Sequence, residues 1–191
     1  MGFNGSLILA RTRASATELL AVPESVEMWV GDPVDCPDGW RVLTVRPYGE
    51  ELVDDPLVAR LAWLTGAPVL VARVYRSDYA VVRGCAPGAE VWSLELNVRF
   101  VVEQAVWEAF GCTEEDEGIT AEEWEECVSE VTERWERERA EAAQALRGWA
   151  DAAGLPVTED QAARAVEAEE VYAEDAVWEM FQRVGVAVPA E

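Results

Sequence analysis

The chain has 191 residues, with 38 acidic side chains against 15 Arg, no Lys and no His, for a formal net charge of −23. Without His there is no Ser-His-Asp or Cys-His catalysis, no imidazole metal ligand and no imidazole proton shuttle. Without Lys there is no Walker-type phosphate lysine, no Schiff base and no PLP anchor, so most familiar enzyme classes are excluded.

Residues 5–11 predict a first strand. Ser15-Ala16-Thr17-Glu18 is a capping box, with Ser at the cap and Glu three residues later. It opens a short helix through Leu19, Leu20 and Val22, which Pro23 stops. Residues 26–29 predict a second short helix or a turn. Residues 31–39, rich in Gly, Pro and Asp, predict a loop. Residues 40–46 alternate as a strand does. Asp55 as N-cap and Pro56 at the first helical position start a helix. Leu57, Val58, Leu61 and Leu64 give its apolar face, and Gly66 and Pro68 end it. Residues 69–75, 79–82 and 90–96 are β-branched and aromatic runs, separated by Ser77-Asp78 and by Ala86-Pro87-Gly88. They predict an antiparallel meander, so residues 1–96 read as a sheet with helices on one face.

The character then changes. Asn97 is placed to cap a helix through Val101, Val106 and Phe110, and residues 111–118 form an acidic loop. Thr120-Ala121-Glu122-Glu123 is a second capping box, with Ile119 and Trp124 at hydrophobic-staple positions. The helix it opens should run to Ala153 on a stripe of Trp124, Val128, Val131, Trp135, Ala142, Leu146 and Trp149. The stripe weakens at Glu138 and Arg139, and Gly154 and Pro156 stop it. Thr158-Glu159-Asp160-Gln161 is a third capping box, and a last helical region reaches Val184 with a break near 169–174. The stretch 103–110 echoes 174–181 at six of eight positions, which equivalent packing by two amphipathic helices explains. The fold class is α+β: an N-terminal antiparallel sheet with flanking helices, then a helical C-terminal region. The expected organisation is a sheet domain over 1–110 and an acidic helical region over 111–191, packed on the first or extending from it.

The charge is uneven. Residues 1–110 carry 15 acids against 9 Arg, and residues 111–191 carry 23 against 6. Such a field repels nucleic acid and anionic membrane, and its natural complement is a basic protein partner. Cys36, Cys85, Cys112 and Cys127 have no C-x-x-C spacing and read as small reduced thiols rather than a zinc set. No secretory segment and no run of about 20 apolar residues is visible, so a cytoplasmic setting is expected. Met1-Gly2 through Ser6 fits a myristoylation pattern and Asn4-Gly5-Ser6 a glycosylation acceptor, both short enough to arise by chance.

Several clusters are candidates for chemistry. Asp32, Asp35 and Asp38 gather three carboxylates that hard cations favour, although each step is one residue wider than in an EF-hand loop. A solvated turn is the competing reading. Glu95 and Glu103, in or beside apolar stretches, are the first suspects for paired-carboxylate catalysis. Ser77-Asp78 reads as a tight turn. The acidic helix presents Glu122, Glu126, Glu130 and Glu133 among its outward residues, offset in part by pairs such as Glu130–Arg134 and Glu133–Arg137. Trp29 and Trp40 flank the Asp loop and are expected to be exposed as binding hot spots. Trp63, Trp92, Trp107, Trp124, Trp135 and Trp149 are expected in the core.

Gly2-x-x-Gly5-Ser6-Leu7, Gly66-Ala67-Pro68-Val69-Leu70 and Ser77-Asp78-Tyr79-Ala80-Val81 resemble a group of uncharacterised acidic proteins from actinobacteria and their phages, over the first hundred residues. The resemblance implies a bacterial or phage setting and no activity. Taken together, the sequence points to a non-enzymatic acidic protein-binding module without cofactor. An immunity-type or inhibitor protein that blocks a basic surface is the expected kind, with DNA mimicry a special case. The alternative is a carboxylate-dependent enzyme, metal-assisted or glycosidase-like.

Overall fold

The structure, a computed structural model, describes residues 2–21, 28–47, 54–97 and 120–188. Seven strands form one sheet: β1 (Gly5–Arg11), β2 (Met28–Val30), β3 (Val34–Asp35), β4 (Trp40–Pro47), β5 (Val69–Tyr75), β6 (Tyr79–Cys85) and β7 (Trp92–Leu96). Their order is β2-β4-β1-β5-β6-β7, with β3 also on β4, and every pairing is antiparallel. The helices are α1 (Ala16–Leu20), α2 (Asp55–Thr65), α3 (Ala121–Ala153), α4 (Glu159–Val166) and α5 (Ala173–Arg183).

Strand alternation sorts the core into two layers. Ile8, Ala10, Leu43, Val45, Val69 and Val71 face α1 and α2. Leu7, Leu9, Trp40, Val42, Leu70 and Ala72 face the other way, into one cluster with Leu146, Trp149, Val177 and Phe181. Helices therefore cover both sheet faces, one set from each charge region. β1 and β5 are buried on both sides, which their unbroken apolar runs require. Trp149 fixes the join: its ring lies 5.7 Å from that of Trp40, and its Nε1 donates to the Val69 carbonyl at 2.9 Å.

All three capping boxes form, at Ser15–Glu18, Thr120–Glu123 and Thr158–Gln161. Each satisfies orphan N–H groups at a helix start and contributes about 1 kcal/mol. The hydrogen bonds to Glu18 and Glu123 hold both carboxyls below the ordinary carboxylate range. Gly66 and Gly154 close α2 and α3 in the left-handed conformation.

Four local expectations shift. Asp54, not Asp55, caps α2, accepting from the Leu57 N–H at 2.8 Å. Met28 and Trp29 belong to an edge strand rather than a helix or turn, because an aromatic and β-branched pair before Gly31 fits pairing with β4. β6 extends to Cys85, past the expected end at Val82. Asn97 caps no described helix: at φ 59° its side chain donates to the Glu170 carbonyl at 2.9 Å and accepts from the Glu170 N–H at 3.1 Å. It thus pins the break between α4 and α5, which the sequence places near 169–174. The helix expected over 101–110, the acidic loop 111–118 and the staple residue Ile119 lie outside the described residues.

Candidate functional site

The helix α3 is one rod with two environments. From Ala142 onward its inner side carries Ala142, Leu146, Trp149, Ala150 and Ala153 into the core. Before that, Val131 is its one buried residue, and Glu122, Glu126, Glu130 and Glu133 are exposed. Their spacing of four, four and three residues aligns them along one face. The local neutralisation expected from Arg134 and Arg137 does not form. Arg134 lies 4.0 Å from Glu138 instead, and among the described residues Glu130 and Glu133 have no ion pair. Arg139 turns inward, over the Trp135 ring at 4.6 Å and onto Glu167 at 3.0 Å. The acidic face is therefore uncompensated over about three turns.

Trp40 is corrected. It is 1% exposed, packed on Trp149, with the Arg11 guanidinium 4.6 Å from its ring centre. Its position two residues before Val42 puts both on the same inward face, so alternation overrides the loop beside it. Trp29 is 43% exposed, as expected, on the edge strand. Arg46 lies between its ring and that of Phe3, at 4.9 and 4.6 Å. The corresponding surprise is Trp63, expected in the core and 76% exposed. The buried side of α2 is Val58, Leu61 and Ala62, and residue 63 sits a quarter turn away, with Leu64 also outside. Trp92, Trp124 and Trp135 are half-buried and Trp149 is core, while Trp107 lies outside the described residues.

Asp32, Asp35 and Asp38 do not converge. All three are exposed, Asp35 pairs with Arg41 at 2.6 Å, and Asp38 turns the chain at φ 59°. Among the described residues no group of three or more His, Cys, Asp or Glu is placed to hold a metal ion. Cys36, Cys85 and Cys127 are free thiols. Burial pushes the Cys36 and Cys85 thiols up, with Asp35 adding to the effect on Cys36, which disfavours the nucleophilic thiolate. Cys112 lies outside the described residues.

Glu95 stands apart from the other carboxylates. It sits on β7 where α3 passes, half-buried beside Trp135. Burial raises its carboxyl, Glu138 raises it further, and Arg134 partly offsets both. The hollows on either side measure about 40 and 90 Å³, against roughly 300–1,000 Å³ for small-molecule sites. Glu103, its expected partner, lies outside the described residues. A larger hollow of about 590 Å³ runs between α3 and α4, lined by Ala140, Ala143, Gly148 and Ala163 and by Arg147 and Glu159, ion-paired at 3.6 Å. Asp151 lines it too, and among the described residues no Ser, Thr or Cys does.

Ser77 is the turn residue that its sequence position predicts, at φ 65°. Its buried hydroxyl also accepts from the Phe3 N–H at 2.6 Å and donates to Glu174 at 2.8 Å, while its carbonyl accepts from the Ala173 N–H at 2.9 Å. It knots the first residues, the β5–β6 hairpin tip and the start of α5. Contacts across 74 and 97 positions leave no local pattern to read.

No helix among the described residues is long and apolar enough to cross a membrane. No protein-family model, curated protein or solved structure matches this chain.

Proposed function

We propose that this chain is a non-enzymatic, acidic protein-binding module that uses the first half of α3 to block a basic surface on a partner, as an immunity-type or inhibitor protein would. The observation that carries this reading is the row Glu122, Glu126, Glu130 and Glu133: four exposed carboxylates without compensating Arg, on a helix whose other end is locked in the core. A surface held rigid in the free protein loses little conformational freedom on binding. Its charge accelerates encounter with a basic partner and rejects acidic ones. DNA mimicry is the special case in which the partner is a nucleic-acid-binding protein. Free thiols at Cys36, Cys85 and Cys127 fit a reducing, cytoplasmic setting.

The test is a comparison of wild type with the quadruple variant Glu122→Gln, Glu126→Gln, Glu130→Gln, Glu133→Gln. Both are immobilised, exposed to host lysate at moderate salt, and the retained proteins are titrated individually. A true partner binds wild type at least ten-fold tighter than the variant, and raising salt narrows the gap by screening. A partner that holds both equally well removes the acidic face from the reading.

A second reading, a carboxylate-dependent enzyme, is favoured by one observation, the raised carboxyl of Glu95 beside Glu138. The small hollows around it argue for placing it second.

A further inference from the structure

Among the described residues, Arg73 is a buried cation without an ion pair. Arg73 is 7% exposed, and its Nε and Nη1 are buried without a hydrogen-bond partner. Ser6 stands directly opposite on β1, 1% exposed, and its Oγ is buried without a partner too. Alternation puts both side chains on the sheet face that carries α1 and α2. Val81, opposite Arg73 on β6, continues the row and offers no acceptor. Among the described residues, the group found on the guanidinium is the Tyr75 ring, 5.3 Å from its centre.

A guanidinium keeps its charge inside a protein. Taking it out of water without an anion is among the costlier arrangements a fold can hold. Here it occurs in a chain with 38 acidic side chains, where the half-buried Arg83 and Arg41 on the same face find Asp55 at 3.0 Å and Asp35 at 2.6 Å. Among the described residues, no carboxylate lies within ion-pair distance of Arg73. The donor set is specific. Planar N–H groups backed by an aromatic face, with a hydroxyl on the adjacent strand, match an oxyanion such as a carboxylate or a phosphoryl group.

We propose that Arg73 and Ser6 form a binding site for a small oxyanion, separate from the acidic face of α3. The guanidinium supplies charge and N–H donors, and the Ser6 hydroxyl adds one further donor. Charge-assisted hydrogen bonds to groups this buried are stronger than the same bonds in water. The overall negative charge of the protein then acts as a filter: highly charged anions are repelled at long range, and compact ones are held at the site.

The test uses the full chain labelled with ¹⁵N, following the arginine Nε–Hε signals. Sodium acetate and sodium phosphate are titrated separately against sodium chloride at equal ionic strength. One signal, missing in Arg73→Met, should move saturably with acetate or phosphate and not with chloride. Acetate acting alone identifies a carboxylate ligand, and a tighter response to phosphate identifies a phosphoryl one. Ser6→Ala should weaken the midpoint several-fold. Arg73→Met should fold and melt in chloride no lower than wild type, because an uncompensated charge is replaced by an apolar chain of similar length. Two results overturn the proposal. One is an Arg73 signal that neither anion moves. The other is loss of folding in Arg73→Met in chloride, which would mean the guanidinium is already satisfied within the chain.

Discussion

The two halves of α3 share a backbone and differ in everything else. The half from Ala142 onward is held by Leu146, Trp149 and Ala150 against the sheet, and the half before it carries the exposed carboxylates. The comparison separates two kinds of stability. An isolated acidic helix of this length is marginal, since like charges one turn apart repel. The anchored half supplies the tertiary packing that keeps the whole rod helical. The outward face of the acidic half is free to be tuned for surface charge because Glu122, Glu126, Glu130 and Glu133 are exposed and carry no ion pair among the described residues.

The sharpest way to break this comparison is Trp149→Ala. It removes the ring packed on Trp40 and its hydrogen bond to the Val69 carbonyl, and should lower stability by about 3–5 kcal/mol in denaturant unfolding. A smaller loss would mean that the join depends on the alanine contacts instead. Next comes Thr120→Ala, which removes the capping box at the exposed end. It should cost about 1 kcal/mol, with the loss of far-UV helical signal confined to the first turns. A cooperative collapse of α3 would show that the two halves are not separable.

Glu95 tests the seam between the halves. Its carboxyl is raised in the folded state, chiefly by burial. The folded protein therefore binds its proton more tightly than the unfolded chain does. Stability falls as pH rises from the ordinary glutamate range through the raised value, and the penalty is complete above it. Glu95→Gln should flatten that slope in melting curves across this window and raise stability at neutral pH. An unchanged slope would place the titration elsewhere. The smallest effect is expected from the four Glu→Gln changes at 122, 126, 130 and 133. Stability should move by no more than about 0.5 kcal/mol, upward if anything, while partner binding is lost.

Periodic features were legible before the structure. Capping boxes are local, three residues apart, so all three could be read and all three form. The ends of α3 at Thr120 and Gly154 were equally plain. The antiparallel meander followed from β-branched runs and turn residues. Misreadings came where two signals compete. Trp40 borders a polar loop yet begins an inward-facing strand, and the strand wins. Trp63 lies within an apolar sequence but off the packed side of α2. Long-range polar ties, such as Asn97 to Glu170 and Ser77 to Phe3 and Glu174, leave no trace in spacing. Nor could the sequence show that Arg73 would be buried without an acid, since acids are everywhere in it.

The order in which the two sheet faces are covered also sets a schedule for synthesis. α1 and α2 are interleaved with the strands, so their face can close as the strands emerge. The opposite face waits for Leu146, Trp149, Phe181 and Val186. Between the end of β7 at Leu96 and Val186 the ribosome adds about 90 residues, which takes roughly 5–20 s at ~5–20 residues per second. Until then Leu7, Leu9, Val42, Leu70 and Val82 lack part of the helical cover that the described residues give them. A nascent chain stalled there would display a wide apolar face, and would be a preferred client for chaperones and a preferred seed for aggregation.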